Sequence, residues 1–145
     1  MPLWRLHYHL VWATKERQPF ITPQREANLY RYVRGKVTTL GCVLHAIGGL
    51  PDHVHLVVSI PPTLAIASFV ANIKGSSAHH LNQDQSGHPF AWQRGYGVFS
   101  LGGKQVERAV SYVENQKVHH RDGTILAPYE QDGSDYDALS PLQRG

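Results

Sequence analysis

The sequence predicts a single α+β domain in which four strands and two helices follow the order βαββαβ and a third helix comes after them. Three observations support this fold class. Side chains alternate between two faces in residues 3–13 and 53–60, as they do in strands, and residues 90–100 are rich in the aromatic residues that strands favour. Apolar residues recur at helical spacing in three other segments, and glycine, proline and small polar residues separate the segments. With 145 residues, 41% of them hydrophobic, the chain is long enough for one domain with a core.

The predicted elements follow in order along the chain. Thr22 and Pro23 begin the first helix, because Thr caps a helix and Pro is favoured at its first position, and Gly41 ends it. Residues 61–63 (Pro-Pro-Thr) end the third strand and cap the second helix. The predicted strands cover residues 3–13, 42–49, 53–60 and 90–100, and the predicted helices cover residues 22–40, 63–81 and about 104–119.

The order βαββαβ is the split β-α-β arrangement of the ferredoxin-like fold, which RRM-like RNA-binding sheets also use. In this fold strands one and three lie side by side at the centre of an antiparallel sheet, and both helices cover one face. Strand alternation then directs the apolar side chains of strand three to the helices, and His53 and His55 to the open face. His7 and His9 of strand one fall on the same open face, beside that pair.

His53 and His55 are a candidate metal-binding pair. Their imidazoles leave one strand face about 7 Å apart, close enough to converge on one ion. On the third helix, Tyr112 and Gln116 are four residues apart and therefore share a side. With no carboxylate expected near the histidines, the amide oxygen of Gln116 is the predicted third ligand. The predicted chemistry is attack of the Tyr112 phenol on a phosphodiester held by a metal ion, with His9 as an auxiliary residue.

Basic residues are concentrated in the first five-sixths of the chain. Residues 1–121 contain 13 Lys and Arg against 6 Asp and Glu, a net charge of +7, whereas residues 122–145 contain 1 against 5, a net charge of −4. A basic body favours a polyanionic partner such as nucleic acid. The first range is therefore the predicted functional domain, and the second is predicted to be an acidic, irregular tail. The predicted DNA contacts are Lys15, Arg17, Lys74 and Arg94.

Cysteine content and hydropathy indicate the compartment. The single cysteine, Cys42, cannot form an internal disulfide, and no apolar stretch approaches the roughly 18 residues that span a membrane. Arg5 and His7 interrupt the N-terminal segment, which therefore lacks the apolar block of a secretion signal. The sequence predicts a protein of the reducing cytoplasm with no membrane partner.

Four segments together resemble the single-tyrosine HUH transposases of the insertion-sequence 200/605 group, whose relatives include the REP-associated tyrosine transposases. The resemblance covers residues 4–121, and the segments occur in the family's order and spacing. They are residues 8–15 (YHLVWATK), 51–58 (PDHVHLVV), 92–100 (WQRGYGVFS) and 112–117 (YVENQK), the last followed by His119 and His120.

The resemblance implies more than the spacing does. It implies cleavage of single-stranded DNA at imperfect hairpins near element ends, through a 5′-phosphotyrosine and with Mg²⁺ or Mn²⁺. It implies an obligate homodimer in which the His53 and His55 pair of one chain meets Tyr112 and Gln116 of the other. Gly102 and Gly103 stand where the family has a flexible hinge, although many relatives have a Ser-rich cap there. The acidic tail has no assigned counterpart in the family.

Three other readings fit parts of the sequence. A non-catalytic nucleic-acid-binding sheet of the same fold would carry aromatic side chains at the centre of its open face, where this chain has histidines. A mononuclear metal hydrolase would use water as its nucleophile and tolerate the loss of Tyr112. A host-domesticated relative would keep the chemistry and process repeat DNA without moving an element.

Overall fold

The computed structural model describes residues 3–84 and 87–118 and contains a four-stranded antiparallel sheet in the order β2-β3-β1-β4. The strands are β1 (His7–Ala13), β2 (Val43–Leu50), β3 (His53–Ser59) and β4 (Gly97–Leu101). The helices are α1 (Pro23–Thr39), α2 (Ile66–Gln83) and α3 (Val106–Glu114), and short 3-10 turns cover Lys15–Arg17 and Gly103–Gln105. The predicted split β-α-β fold, with β1 and β3 at the centre, is confirmed.

One face of the sheet packs against α1 and α2 and forms the larger core. Trp12 and Leu56 of the central strands are fully buried there, with Val33 of α1 and Phe69 of α2. Because side chains alternate along a strand, the odd-numbered residues of β1 and β3 occupy the opposite face. His9 and His55 lie on that opposite face, as the sequence predicted.

The opposite face is not open, because α3 of the same chain covers it. Val57 of β3, Leu101 at the end of β4, and Ala109 and Val113 of α3 form a second buried cluster. The apolar side of α3 is stable only when it is buried, and it is buried against the hydrophobic residues on this face of the sheet. The expectation of an exposed face is therefore wrong.

The predicted start of α1 is confirmed and that of α2 is wrong. The Thr22 hydroxyl accepts a hydrogen bond from the backbone N–H of Arg25 at 3.3 Å. The residue before α2 is Ala65, which contributes no side-chain cap. Residues 61–64 instead form a turn in which the Leu64 N–H donates to the Pro61 carbonyl, so Thr63 lies too early to cap the helix.

Two predicted strands are longer than the observed ones. β1 begins at His7 rather than at residue 3, and β4 begins at Gly97 rather than at residue 90. The aromatic residues before β4 are core anchors: the Phe90 and Trp92 rings lie 4.7 Å apart, edge to face. Asn82 of α2 binds both the backbone N–H and the carbonyl of Phe90, which uses the groups that a strand would need for pairing.

Part of the sequence prediction lies outside the described residues, namely the acidic tail, His119 and His120. Within the described segments, no helix has the length and apolar character needed to cross a membrane.

A close backbone approach fixes α3 on the sheet. A Cβ atom added to Gly48 of β2 would lie 2.2 Å from the carbonyl oxygen of Val113 in α3, a distance that atoms in contact do not reach. Gly48 is therefore required because nothing larger than hydrogen fits between the strand and the helix.

We expect Gly48→Ala to lower the free energy of unfolding by about 1–3 kcal/mol, since the methyl group must push α3 away from β2. Urea denaturation measures this change. Gly35→Ala is the matched control, because a Cβ at Gly35 in α1 would meet nothing within 4 Å and alanine is the better helix former. Equal stability of the two variants would contradict the docking of α3 on β2.

Candidate active site

The predicted imidazole pair lies at the start of β3, on the face that α3 covers. The His53 and His55 rings are 5.0 Å apart between centroids and nearly perpendicular. Both side chains are buried, with exposures of 2% and 0%. The turn at residues 51–52 brings the chain from β2 into β3 and sets where this pair begins.

Asp52 orients His53, contrary to the expectation that no carboxylate would lie near the pair. Its Oδ1 lies 2.7 Å from Nδ1 of His53, and its Oδ2 lies 3.5 Å from the guanidinium of Arg17. The hydrogen bond to His53 lowers the pKa of the Asp52 carboxyl; burial opposes this effect, and the charges of His53 and Arg17 reinforce it. The sequence predicts Asp52 only as a turn residue.

His9 orients His55 in the same way. Nε2 of His9 lies 2.9 Å from Nδ1 of His55, and the two rings stack at 5.1 Å. Each imidazole of the pair is thus held through Nδ1, by Asp52 in one case and His9 in the other. Such partners fix the ring and direct Nε2 towards a metal ion in histidine-ligated sites, and Nε2 of His53 is buried.

Tyr112 of α3 lies against this pair. Its ring centroid is 6.1 Å from that of His55, with the rings close to perpendicular, and the residue is 3% exposed. The structure therefore brings the predicted nucleophile and the predicted metal-binding face together within one chain.

Gln116 lies beside the part of the sheet that carries His55. α3 ends at Glu114, Asn115 forms a turn, and helical geometry resumes over residues 116–118. Gln116 is 2% exposed, and it lines a cavity with Gly48, the strand partner of His55. In the described segments, no three His, Cys, Asp or Glu side chains form a metal-binding group. Gln116 therefore stays the predicted third ligand of a site on His53 and His55.

The basic turn after β1 lies next to Asp52. Glu16 and Arg17 both have positive φ angles, 54° and 53°, which side-chain-bearing residues rarely adopt. The side-chain oxygen of Gln93 accepts the Glu16 N–H at 2.8 Å and holds this conformation. Lys15 and Arg17 are exposed there, as predicted DNA contacts should be.

The other two predicted DNA contacts differ from each other. Lys74 of α2 donates to the carbonyls of Gln93 and Gly95 at 2.6 and 3.0 Å and is half-buried. Its ammonium therefore supports the loop before β4. Arg94, between those two carbonyls, is exposed and is the better placed of the two to meet a phosphate.

The predicted hinge forms a capped turn in this structure. The Gly102 N–H donates to Oε1 of Gln105 at 2.7 Å, and its φ of −71° is open to any residue. A Cβ at Gly103 would meet nothing within 4 Å. The observed conformation does not require either glycine, so a hinge role would depend on a second conformation.

Comparison with known proteins assigns the family. The sequence model of the family described as "Transposase IS200 like" matches residues 2–116. The chain belongs to this IS200-like transposase family. Among family relatives, the IS200 transposase of Salmonella typhimurium is 28% identical in an alignment of 140 positions that covers 87% of this chain and 87% of that protein. The ISDra2 transposase TnpA of Deinococcus radiodurans is 33% identical over 79 residues, or 54% of this chain and 56% of that protein.

Solved structures agree with the family fold. A crystal structure of a Deinococcus radiodurans R1 protein assigned as a transposase has a TM-score of 0.61 and 32% identity, over 79% of this chain and 93% of that one. A REP-associated tyrosine transposase bound to a REP hairpin has a TM-score of 0.63 and 16% identity, over 83% of this chain and 74% of that one. The second likeness supports the fold alone.

We expect Asp52→Asn to be less stable than the wild type at pH 7 and to respond less to acid. A carboxyl whose pKa is lowered on folding stabilises the protein above its unfolded pKa of about 3.9, and that contribution is lost as the pH falls through the lower, folded value. Urea unfolding at several pH values between neutrality and acid measures the difference. Parallel pH profiles of variant and wild type would contradict the interaction with His53.

Proposed function

We propose that the protein cleaves and rejoins single-stranded DNA at the ends of a mobile element, by transesterification through Tyr112. The observation that carries this proposal is the contact between the Tyr112 ring and His55, in a site whose two imidazoles are each oriented through Nδ1. Family membership supports DNA transposition as the process that the chemistry serves.

The donor set fits a divalent metal ion. His53 and His55 would bind it through Nε2, and the buried Oε1 of Gln116 would be the third protein ligand. Mg²⁺ or Mn²⁺ at this position would place positive charge beside a non-bridging oxygen of the scissile phosphate. Three neutral ligands leave that charge undiminished, which favours binding of an anionic phosphate.

Tyr112 is the nucleophile in this proposal. Its phenolic oxygen loses its proton and attacks phosphorus in line with the bond to the 3′ oxygen. That bond breaks, the 3′ oxygen takes up a proton, and the 5′-phosphate remains on Tyr112. Attack by the 3′-hydroxyl of another strand then releases the tyrosine and forms a new junction, so the bond energy is conserved.

We infer that the substrate is a DNA hairpin with a single-stranded flank. A protein of similar fold, the REP-associated tyrosine transposase, was solved with a REP hairpin. In this chain Arg17 is exposed, and its guanidinium reaches Asp52, the partner of His53. A phosphate bound at Arg17 would therefore place the adjoining strand close to the proposed metal ligands.

We also infer a homodimer that shares its sites. In the single chain described here α3 docks on its own sheet, through a surface that every copy carries. The α3 of a partner subunit could dock on the same surface, including the close contact at Gly48, if the segment before that helix changed conformation. Gly102 and Gly103 would then be the residues that change conformation.

Loss of the phenol tests the nucleophile. We expect Tyr112→Phe, incubated with Mg²⁺ and labelled single-stranded DNA from the gene's own flanks, to form no protein-linked label on a denaturing gel. The ring and its packing remain, so folding is preserved. Tyr96→Phe is the matched control, because Tyr96 packs against the other core. Cleavage by Tyr112→Phe at the wild-type rate would favour a hydrolase with a water nucleophile.

Mixing two inactive variants tests the shared site. We expect Tyr112→Phe and His55→Ala, each inactive alone, to regain part of the activity when they are refolded together. A mixed dimer that exchanges α3 contains one site with both residues intact and one with both missing. Covalent adduct formation measures the recovery. If the mixture stays inactive although mixed dimers form, each tyrosine serves its own chain, and the single-chain arrangement is the catalytic one.

A further inference from the structure

A second group of imidazoles lies at the far end of the same sheet face. Nδ1 of His7 and Nε2 of His45 each lie 2.6 Å from the hydroxyl oxygen of Ser59. The two rings are 5.9 Å apart and at 75° to each other. Two nitrogens from different strands are thus aimed at one point.

The sheet builds this arrangement from three adjacent strands. His7 of β1 is the strand partner of Ser59 at the end of β3. On the other side, the pairing of β2 with β3 shifts between Leu44 and Ala46, so His45 is the extra residue of a β-bulge, a feature that redirects a side chain. The β3 residues His53 and Ser59 stand six positions apart, about 20 Å along a strand, which separates this group from the proposed catalytic site.

We propose that His7 and His45, with the Ser59 hydroxyl between them, bind one late transition-metal ion of the Zn²⁺ class. Two imidazoles suit Zn²⁺, Cu²⁺ or Ni²⁺ better than Mg²⁺. Zinc binds histidine nitrogen at about 2.0–2.1 Å, so an ion held by both rings would replace the two hydrogen bonds to Ser59, and the hydroxyl would turn aside to admit it. Ser59 is 5% exposed, whereas both rings are half-buried, which leaves room for water to complete four ligands.

The protonation of the cluster is compatible with this role. The Ser59 hydroxyl has one proton and can donate it to only one imidazole. The other imidazole must therefore donate its own N–H to the Ser59 oxygen. Binding an ion requires that second ring to move its proton to its other nitrogen.

An ion at this site would link β1, β2 and β3 close to the segment that precedes α3. His7 is the strand partner of Leu101, the residue directly before Gly102 and Gly103. Binding there would tie β1, β2 and β3 together beside the segment on which α3 would have to swing.

Zinc titration of the tag-free protein, followed by calorimetry, tests the proposal. We expect the double variant His7→Gln, His45→Gln to bind one equivalent of Zn²⁺ fewer than the wild type. The variant His79→Gln, which removes an exposed imidazole of α2, should bind as the wild type does. A protein with His53→Ala and His55→Ala should retain the equivalent assigned to His7 and His45, so this result is independent of the catalytic proposal.

Electron paramagnetic resonance of bound Cu²⁺ gives a second measurement that needs no change at His7 or His45. The protein lacking His53 and His55 should show coupling of the copper to two imidazole nitrogens. Zinc stoichiometry unchanged by the double variant, or copper coupled to fewer than two nitrogens, would overturn the proposal.

Discussion

The site depends on the close approach of α3 to β2. The Val113 carbonyl lies so near Gly48 that no side chain fits between them, and this contact fixes the height at which α3 crosses the sheet. Tyr112, one residue earlier, is then opposite His55, and Gln116 enters the cavity beside Gly48. A wider gap would separate the phenol from the imidazoles although every side chain remained present.

Orientation of the imidazoles is the second requirement. His53 and His55 are each held through Nδ1, one by the Asp52 carboxylate and one by the His9 ring. A carboxylate partner raises the basicity of its histidine, whereas the partner of His55 is a second imidazole. The two nitrogens proposed as metal ligands therefore have different environments, and the basic turn lies on the Asp52 side. The cationic Arg17 of that turn thus lies next to the residue that orients His53.

The fold and the central residues of the site could be predicted from the sequence because both follow from alternation. A period of two puts His53, His55 and His9 on one sheet face whatever their neighbours are. The role of Asp52 could not be predicted, since it depends on how a turn residue folds back onto the next strand. β4 was predicted too long because aromatic residues favour strands, while at Phe90 and Trp92 tertiary packing overrode that preference. The face predicted to be open is covered because α3 carries an apolar side that must be buried.

The burial of Tyr112 has a consequence for the protein without bound DNA. With 3% of this residue exposed, the phenol is covered while α3 lies in this position. If Tyr112 is the nucleophile, this docking keeps the proposed nucleophile covered in the absence of DNA. How often the phenol becomes accessible then depends on the free energy with which one short helix holds to the sheet.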